Sequence, residues 1–207
     1  MIGILDYGMG NLGSVQNACR FLAVPSRIIT RPDELAGCRA LILPGVGAFG
    51  DCMQHLTAHD FVAPIREWIA AGRPFLGICL GLQLLFEASE ESPGVPGLGV
   101  LPGRNRRFMP GRDLKVPQIG WNHVRPIQPD CPLFRGIPAD TYFYFVHSYY
   151  ADAAEAGAAT AGVTDYGQPY ASALWKDNLL AVQFHPEKSQ HWGLQMLRNF
   201  DVWTRGR

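Results

Sequence analysis

Short apolar runs separated by turn residues organise the first part of the chain. Ile2 to Leu5 reads as a buried strand, and Asp6-Tyr7-Gly8-Met9-Gly10 as the turn after it. Asn11 then caps a predicted helix in which Leu12, Val15, Cys19 and Leu22 share one face. Arg27 to Thr30 and Ala40 to Leu43 read as the next strands, the second ended abruptly by Pro44-Gly45-Val46-Gly47. Phe61, Ile65, Trp68 and Ile69 recur at helical spacing and mark an amphipathic helix closed by Gly72 and Pro74. Phe75 to Ile78 predicts another strand, and Leu80 to Ala88 another helix. Strand and helix alternate, which predicts an α/β fold: a mostly parallel central sheet flanked by helices on both faces.

The pattern changes near Ser92. Residues 93–103 are rich in proline and glycine, and from Arg106 to Gln183 the periodicity becomes that of strands and turns. Tyr142 to Val146, Ala171 to Trp175 and Leu179 to Phe184 are the clearest of these strands. An added β-rich part in the second half is therefore expected. A last helix of about Gln190 to Thr204 follows, apolar at Trp192, Met196, Leu197 and Phe200. No repeat or low-complexity tract divides the chain, and its 207 residues suffice for one domain spanning 1–207.

Composition narrows the functional classes. The 18 basic and 18 acidic residues cancel, leaving no electrostatic footprint for nucleic acid or an anionic membrane. No apolar run approaches the ~18 residues of a membrane-spanning helix. The first residues lack the basic region and long apolar core of a signal peptide. Cys19, Cys38, Cys52, Cys79 and Cys131 are scattered, with no CxxC pair, which fits a reducing compartment. A cytoplasmic location is the expectation.

The strongest local signal is Gly77-Ile78-Cys79-Leu80-Gly81, between a predicted strand and a predicted helix. That is the setting of a nucleophile elbow, in which a sharp turn strains the nucleophile's backbone and flanking glycines remove clashing side chains. A helix N-terminus behind the thiol favours thiolate, and a free thiol of pKa ~8.5 is otherwise only a few per cent ionised at neutral pH. The plainer alternative is a buried structural cysteine between two packing glycines. Phe184-His185-Pro186-Glu187 ends another predicted strand. In an extended segment, residues two apart point the same way, so Glu187 reaches one imidazole nitrogen of His185 and leaves the other for a thiol. A strand-end turn with a solvated glutamate is the alternative for that segment alone. With the elbow, nucleophile, base and orienter are all present: Cys79, His185 and Glu187. Acyl transfer also needs donors to a developing oxyanion. The N–H groups of Val46 and Gly47, with that of Leu80, supply candidates, although an ordinary glycine turn reads equally well there.

Two other patterns compete. Gly8-Met9-Gly10-Asn11-Leu12-Gly13 satisfies G-x-G-x-x-G, with Asp33 twenty residues on, as in dinucleotide-binding proteins. The carboxylate of Asp6 would crowd a pyrophosphate there, and Asp33 lies past the end of its strand, so this reading is set aside. Cys52, His55 and His59 fall at i, i+3 and i+7 and would share a helix face like metal ligands. No fourth ligand accompanies them, and the plain expectation is solvent-facing side chains and no metal. Arg104, Arg106, Arg107 and Arg112 read as a solvated basic face.

Gly77-Ile78-Cys79-Leu80-Gly81-Leu82-Gln83 together with His185-Pro186-Glu187 resembles the class I (triad) glutamine amidotransferases, whose fold is flavodoxin-like. The resemblance covers essentially the whole chain. Four more segments narrow it: Asp6 to Asn11, Pro44 to Gly47, Pro117-Gln118-Ile119-Gly120-Trp121-Asn122, and Tyr142 to Tyr149. In their order and joint presence they resemble the glutaminase subunits of imidazole glycerol phosphate synthases, in histidine biosynthesis.

The resemblance implies that Cys79 attacks the side-chain amide of glutamine, that His185 takes the thiol proton and then donates to the leaving ammonia, that Glu187 orients His185, and that no cofactor takes part. It implies that Gly47, Gln83, Ser148 and Tyr149 hold glutamine and that Glu91 faces its ammonium. It also implies a heterodimer in which ammonia passes to a (β/α)8-barrel cyclase making imidazole glycerol phosphate and aminoimidazole carboxamide ribotide. Asn11, Trp121, Asn122, Tyr144 and Lys188 match positions expected at that interface; from the residues alone, ordinary packing is the plainer reading of Trp121. A donor in the Pro44–Gly47 loop is expected to need reorienting before the isolated chain turns over well. Glutaminase subunits of the anthranilate or aminodeoxychorismate synthase type are the nearest rivals, and a non-enzymatic scaffold on the same fold is another; the three catalytic residues argue against the scaffold.

Overall fold

The computed structural model describes residues 1–111 and 114–206. Its strands, in chain order, are β1 (Ile2–Leu5), β2 (Ser26–Ile29), β3 (Ala40–Gly45), β4 (Phe75–Cys79), β5 (Ala88–Ser89), β6 (Arg104–Arg107), β7 (Gln118–Pro126), β8 (Thr141–His147), β9 (Tyr149–Ala151), β10 (Thr160–Asp165), β11 (Pro169–Lys176) and β12 (Leu179–Val182). The helices are α1 (Leu12–Phe21), α2 (Phe49–Ala58), α3 (Val62–Ala70), α4 (Leu80–Gln83), α5 (Ala153–Ala156) and α6 (Gln190–Arg205).

The main sheet runs in the order β2-β1-β3-β4-β12-β11-β10-β7-β8. From β2 to β12 neighbours are parallel; from β12 to β8 they are antiparallel. This is the mostly parallel sheet with an added β-rich part that the sequence predicts. The parallel strands β1, β3, β4 and β12 are buried along their whole length, which is why each reads as an unbroken apolar run. On one face Phe49 and Leu56 of α2 and Ile65 and Trp68 of α3 pack against Leu5, Leu41 and Leu43. On the other, Val15 and Cys19 of α1 and Met196, Leu197 and Phe200 of α6 pack against Ile4, Ile42, Ile78 and Leu180.

Three expectations need correction. The helix predicted from Leu80 to Ala88 ends at Gln83. Its next carbonyls are taken by later chain: Leu98 N donates to Leu84 O at 2.8 Å, Val100 N to Leu85 O at 2.9 Å and Gly97 N to Glu87 O at 2.8 Å. Asn105 Nδ2 likewise donates to Gln83 O at 2.9 Å. Cys52 does not face solvent. Helix α2 turns it fully into the core, while His59 stays exposed, so the three residues at helical spacing do not assemble. In the arginine cluster Arg104 and Arg107 are exposed as expected, but Arg106 is not simply solvated. Arg106 pairs with Asp152 at 3.0 Å and with Glu155, within the chain. Arg112 lies outside the described residues.

All five cysteines are buried and free. No helix among the described residues is long and apolar enough to cross a membrane.

Candidate active site

The parallel register places Gly45 of β3 opposite Cys79 at the end of β4, and Val182 of β12 opposite Ile78. Three strand ends therefore meet at one edge of the sheet: the Pro44–Gly47 loop, the Cys79 elbow and the His185 turn. Open α/β sheets bind ligands at that carboxyl edge.

Cys79 sits at φ 56°, ψ −111°, a conformation a side chain rarely adopts. The glycines around it make this turn possible. A Cβ on Gly77 would lie 2.6 Å from Gly81 O, and one on Gly81 only 1.9 Å from Leu43 O. The backbone of the elbow thus packs directly on β3, as the sequence pattern requires. Helix α4 behind Cys79 is a single turn, shorter than predicted.

His185 is 2% exposed, and its Nδ1 meets Glu187 Oε1 at 2.8 Å. The approach is made by a tight turn over Pro186–Lys188, which brings Glu187 back beneath the ring; the extended geometry expected from sequence stops at His185. The Glu187 side chain is also buried, at 1%. Nε2 of His185 carries no hydrogen bond to a described residue, which leaves it for the thiol side of the site. Burial works against charge on this ring, but the Cys79 sulfur and the Glu187 carboxylate outweigh it, and the pKa rises to about 10. Beside a Cys79 thiolate the ring holds its proton, and a positioned imidazolium is a competent general acid.

A cavity of about 420 Å³ opens over Cys79 and His185, a size suited to a small substrate. Val46, Gly47 and Leu80, the candidate oxyanion donors, line it together with Gln83, Glu91, Ser148 and Tyr149. Gly47 has φ +97°, and the Val46 carbonyl accepts from the Cys52 thiol at 3.5 Å. Gln83 Nε2 donates to Tyr149 O at 2.8 Å and to Gln183 Oε1 at 2.9 Å. Its amide therefore fixes the wall of the cavity. One oxygen of Glu91 accepts from Phe49 N at 2.7 Å and caps α2. Burial, helped by Asp51, raises the Glu91 carboxyl above its usual range, against the pull of that N–H.

Sequence reasoning missed Gln183 here and left His147 between core and site wall. Gln183 Nε2 lies 3.8 Å from Cys79 Sγ. Its signal was one polar residue inside an otherwise apolar run, Leu179 to Phe184. His147, to which the sequence assigns no role, is buried in the cavity wall. Its Nδ1 bonds Tyr149 O at 2.8 Å, and its Nε2 faces the Gln118 amide at 3.1 Å. Burial, with the charge of His185 adding, lowers the His147 pKa to about 4, against the pull of the Tyr149 carbonyl. An unfolded histidine protonates near 6.5, so between pH 6.5 and 4 the unfolded chain takes up a proton that the folded one refuses. Stability present above pH 6.5 is lost as the pH falls, by about 3 kcal/mol from this group. Urea unfolding at pH 7 and 4.5 should show a shallower loss in His147→Phe than in wild type; equal losses would exclude this account.

The residues expected at an interface divide. Trp121 is 45% exposed and meets Tyr144 edge-on at 6.1 Å between ring centroids, so it is not ordinary core packing. Ile119 and Tyr142 beside them are 62% and 49% exposed. Lys188 is exposed, and half-buried Asn11 caps α1 by accepting from Ser14 N at 3.4 Å. Asn122 points to the opposite face of β7 from Trp121, and its Nδ2 donates to Asp165 O at 2.8 Å. In the rival glycine-rich loop, Asp6 Oδ1 accepts from Gly8 N at 3.0 Å.

Comparison with known proteins agrees with this geometry. The family described as glutamine amidotransferase class-I matches residues 4–202. A protein named imidazole glycerol phosphate synthase subunit HisH from Moorella thermoacetica is 52% identical over 204 residues, covering 99% of this chain and 95% of its own. The HisH subunit of Syntrophotalea carbinolica is 50% identical over 205 residues, covering 97% and 98%. Among solved structures, one described as a glutamine amidotransferase superposes with a TM-score of 0.76 at 19% identity, covering 100% of this chain and 99% of that one. PurLQS from Thermotoga maritima gives 0.76 at 16%, covering 98% and 97%. These two structures speak to the fold alone.

Proposed function

The chain belongs to the class I glutamine amidotransferase family, and from that premise we propose that it is the glutaminase subunit of an imidazole glycerol phosphate synthase. The observation that carries the reading is the meeting of Cys79, His185 and Glu187 at one sheet edge, in a chain about half identical to HisH subunits over nearly its whole length. We take residues 1–207 as one amidotransferase domain.

In this reading Nε2 of His185 takes the Cys79 thiol proton, and the thiolate attacks the side-chain carbonyl carbon of glutamine. The oxygen gains negative charge opposite the N–H groups of Leu80 and of the Val46–Gly47 segment. His185, protonated at Nε2, gives its proton to the departing nitrogen, and ammonia leaves a γ-glutamyl thioester. His185 then takes a proton from water, which attacks the thioester and releases glutamate and the thiol. Glu187 keeps Nδ1 occupied and so fixes which nitrogen faces the sulfur. Gln83 and His147 both hold the Tyr149 carbonyl, and through it the wall where Ser148 and Tyr149 meet substrate. Glu91 offers its second oxygen to the substrate ammonium.

Ammonia is used by a barrel cyclase subunit, which docks on the exposed Trp121–Tyr144 face with Lys188 and Asn11 at its margin. Buried aromatic anchors commonly dominate such interfaces. Asn122 supports this face from behind. Glutamate release should rise at least about tenfold when the cyclase and its nucleotide ligand are added, and Trp121→Ala should weaken cyclase binding by about 2 kcal/mol. Equal turnover with and without the cyclase would assign the chain to a different client, such as an anthranilate synthase. Unchanged affinity in Trp121→Ala would move the interface elsewhere.

A further inference from the structure

We infer that Ser189 is a positioning residue for the reaction, whose hydroxyl locks the backbone of the catalytic histidine to strand β8 beneath Tyr144. The inference rests on the glutaminase reading above.

Strand β8 ends the main sheet, so at Tyr144 both backbone polar groups face away from β7. An open edge would leave them to water. Instead His185 N donates to Tyr144 O at 2.9 Å, and Tyr144 N donates to Ser189 Oγ at 3.0 Å. The Ser189 hydroxyl in turn donates to His185 O at 2.6 Å. The three bonds form a closed ring through both backbone groups of Tyr144 and both of His185. Ser189 is 2% exposed, so the ring is shielded from competing water. One residue earlier, Phe184 stacks on Phe143 of the same strand at 4.2 Å.

The ring matters because the His185 side chain has to hold two partners at once. Its imidazole lies between Cys79 and Glu187. No strand continues past Val182 on this side, and Pro186 leaves the turn without one donor. Without the Ser189 hydroxyl, Tyr144 N loses its partner and His185 O keeps only Lys188 N, at 3.0 Å. The histidine backbone can then rotate, and displacements near 1 Å cost about 10²-fold in rate. Tyr144 also meets Trp121 on the exposed face. The same ring therefore links the docking surface to the catalytic histidine.

The test is steady-state glutamate release by Ser189→Ala in the complex with the cyclase, beside wild type and Cys79→Ala. The expected result is a kcat lower by about tenfold or more, with KM for glutamine within about twofold. The alkaline limb of the pH–rate profile should also move down by at least about half a unit, because an imidazole that drifts from Cys79 and Glu187 loses the charges that hold its proton. Wild-type kcat in Ser189→Ala overturns the inference. So does an equal loss in kcat and stability with the pH profile unmoved, which marks a structural residue only. Should Ser189→Ala fail to fold, Ser189→Cys, with its weaker donor, takes its place under the same criteria. Wild-type protein that releases no glutamate, or Cys79→Ala that still does, counts against the glutaminase reading itself and not against Ser189.

Discussion

Cys79→Ala lowers glutamate release by at least about 10⁴-fold and leaves synthesis from added ammonia intact. The expectation follows from where the cysteine sits. Its sulfur faces the cavity, with Gln183 at 3.8 Å and the His185 imidazolium held near by Glu187. No other thiol replaces it: among the cavity-lining residues, Cys79 alone carries sulfur. Cys52 is turned into the core, and burial, with Asp51 and Glu91 adding, pushes its thiol to about 11. Alanine keeps the Cβ and inherits the same positive φ, so the strain of the elbow is unchanged and the fold is kept. Thermal unfolding should move by less than about 4 °C, the equivalent of roughly 1 kcal/mol in a chain of this size. Ammonia supplied from solution bypasses Cys79, so the complex should still make its product from ammonia. Glutamate release above about one per cent of wild type would remove Cys79 from the nucleophile's role. Loss of the ammonia-dependent reaction as well would mean that the substitution had damaged the assembly.

What was legible in the sequence was whatever is decided locally. The strands β1, β3, β4 and β12 announce themselves as apolar runs because each is buried on both sides. The elbow announces itself because its glycines are required by backbone contacts at the turn itself. What was not legible is settled by distant chain. Helix α2 begins at Phe49 behind Ala48, which has no side chain to cap it. Its first donors are met instead by Glu91 on Phe49 N and Ser92 on Gly50 N, from a loop forty-two residues away. No start signal precedes the helix, so the sequence does not show which way Cys52, His55 and His59 face. The early end of α4 has the same origin, because Asn105 and residues 97–101 take carbonyls that a helix to Ala88 would have used. His147 was left between core and site wall because its partners, Gln118 and Tyr170, join it only once β7, β8 and β11 have assembled. The short turn through Pro186 was enough to place His185 and Glu187 together, although the route between them is tighter than an extended strand.

Gly81→Ala should abolish the site while leaving every catalytic residue in the sequence unchanged. The added Cβ would stand 1.9 Å from Leu43 O and 3.0 Å from Leu43 C, where real contacts essentially never fall below 3.0 Å. Both obstacles are backbone, in the middle of a buried parallel strand, so no side chain can swing aside. Either β3 or the elbow has to move by about 1 Å. Moving β3 disturbs Gly45, the residue paired with Cys79, and with it the Val46–Gly47 donors; moving the elbow shifts the nucleophile itself. Each route costs at least about 3 kcal/mol of stability, hence roughly 6–12 °C in melting temperature, and at least about 10²-fold in glutamate release. Gly13→Ala is the matched control. Gly13 lies on the exposed side of α1, where an added Cβ would meet nothing within 4 Å, and alanine there should stabilise by about 0.5–1 kcal/mol without touching activity. Calorimetry and glutaminase assays on the two variants separate a clash at the elbow from a general effect of replacing glycine. A Gly81→Ala protein as stable and as active as wild type would mean that β4 and α4 do not meet β3 as closely as the positive φ of Cys79 and the contacts of Gly77 and Gly81 require.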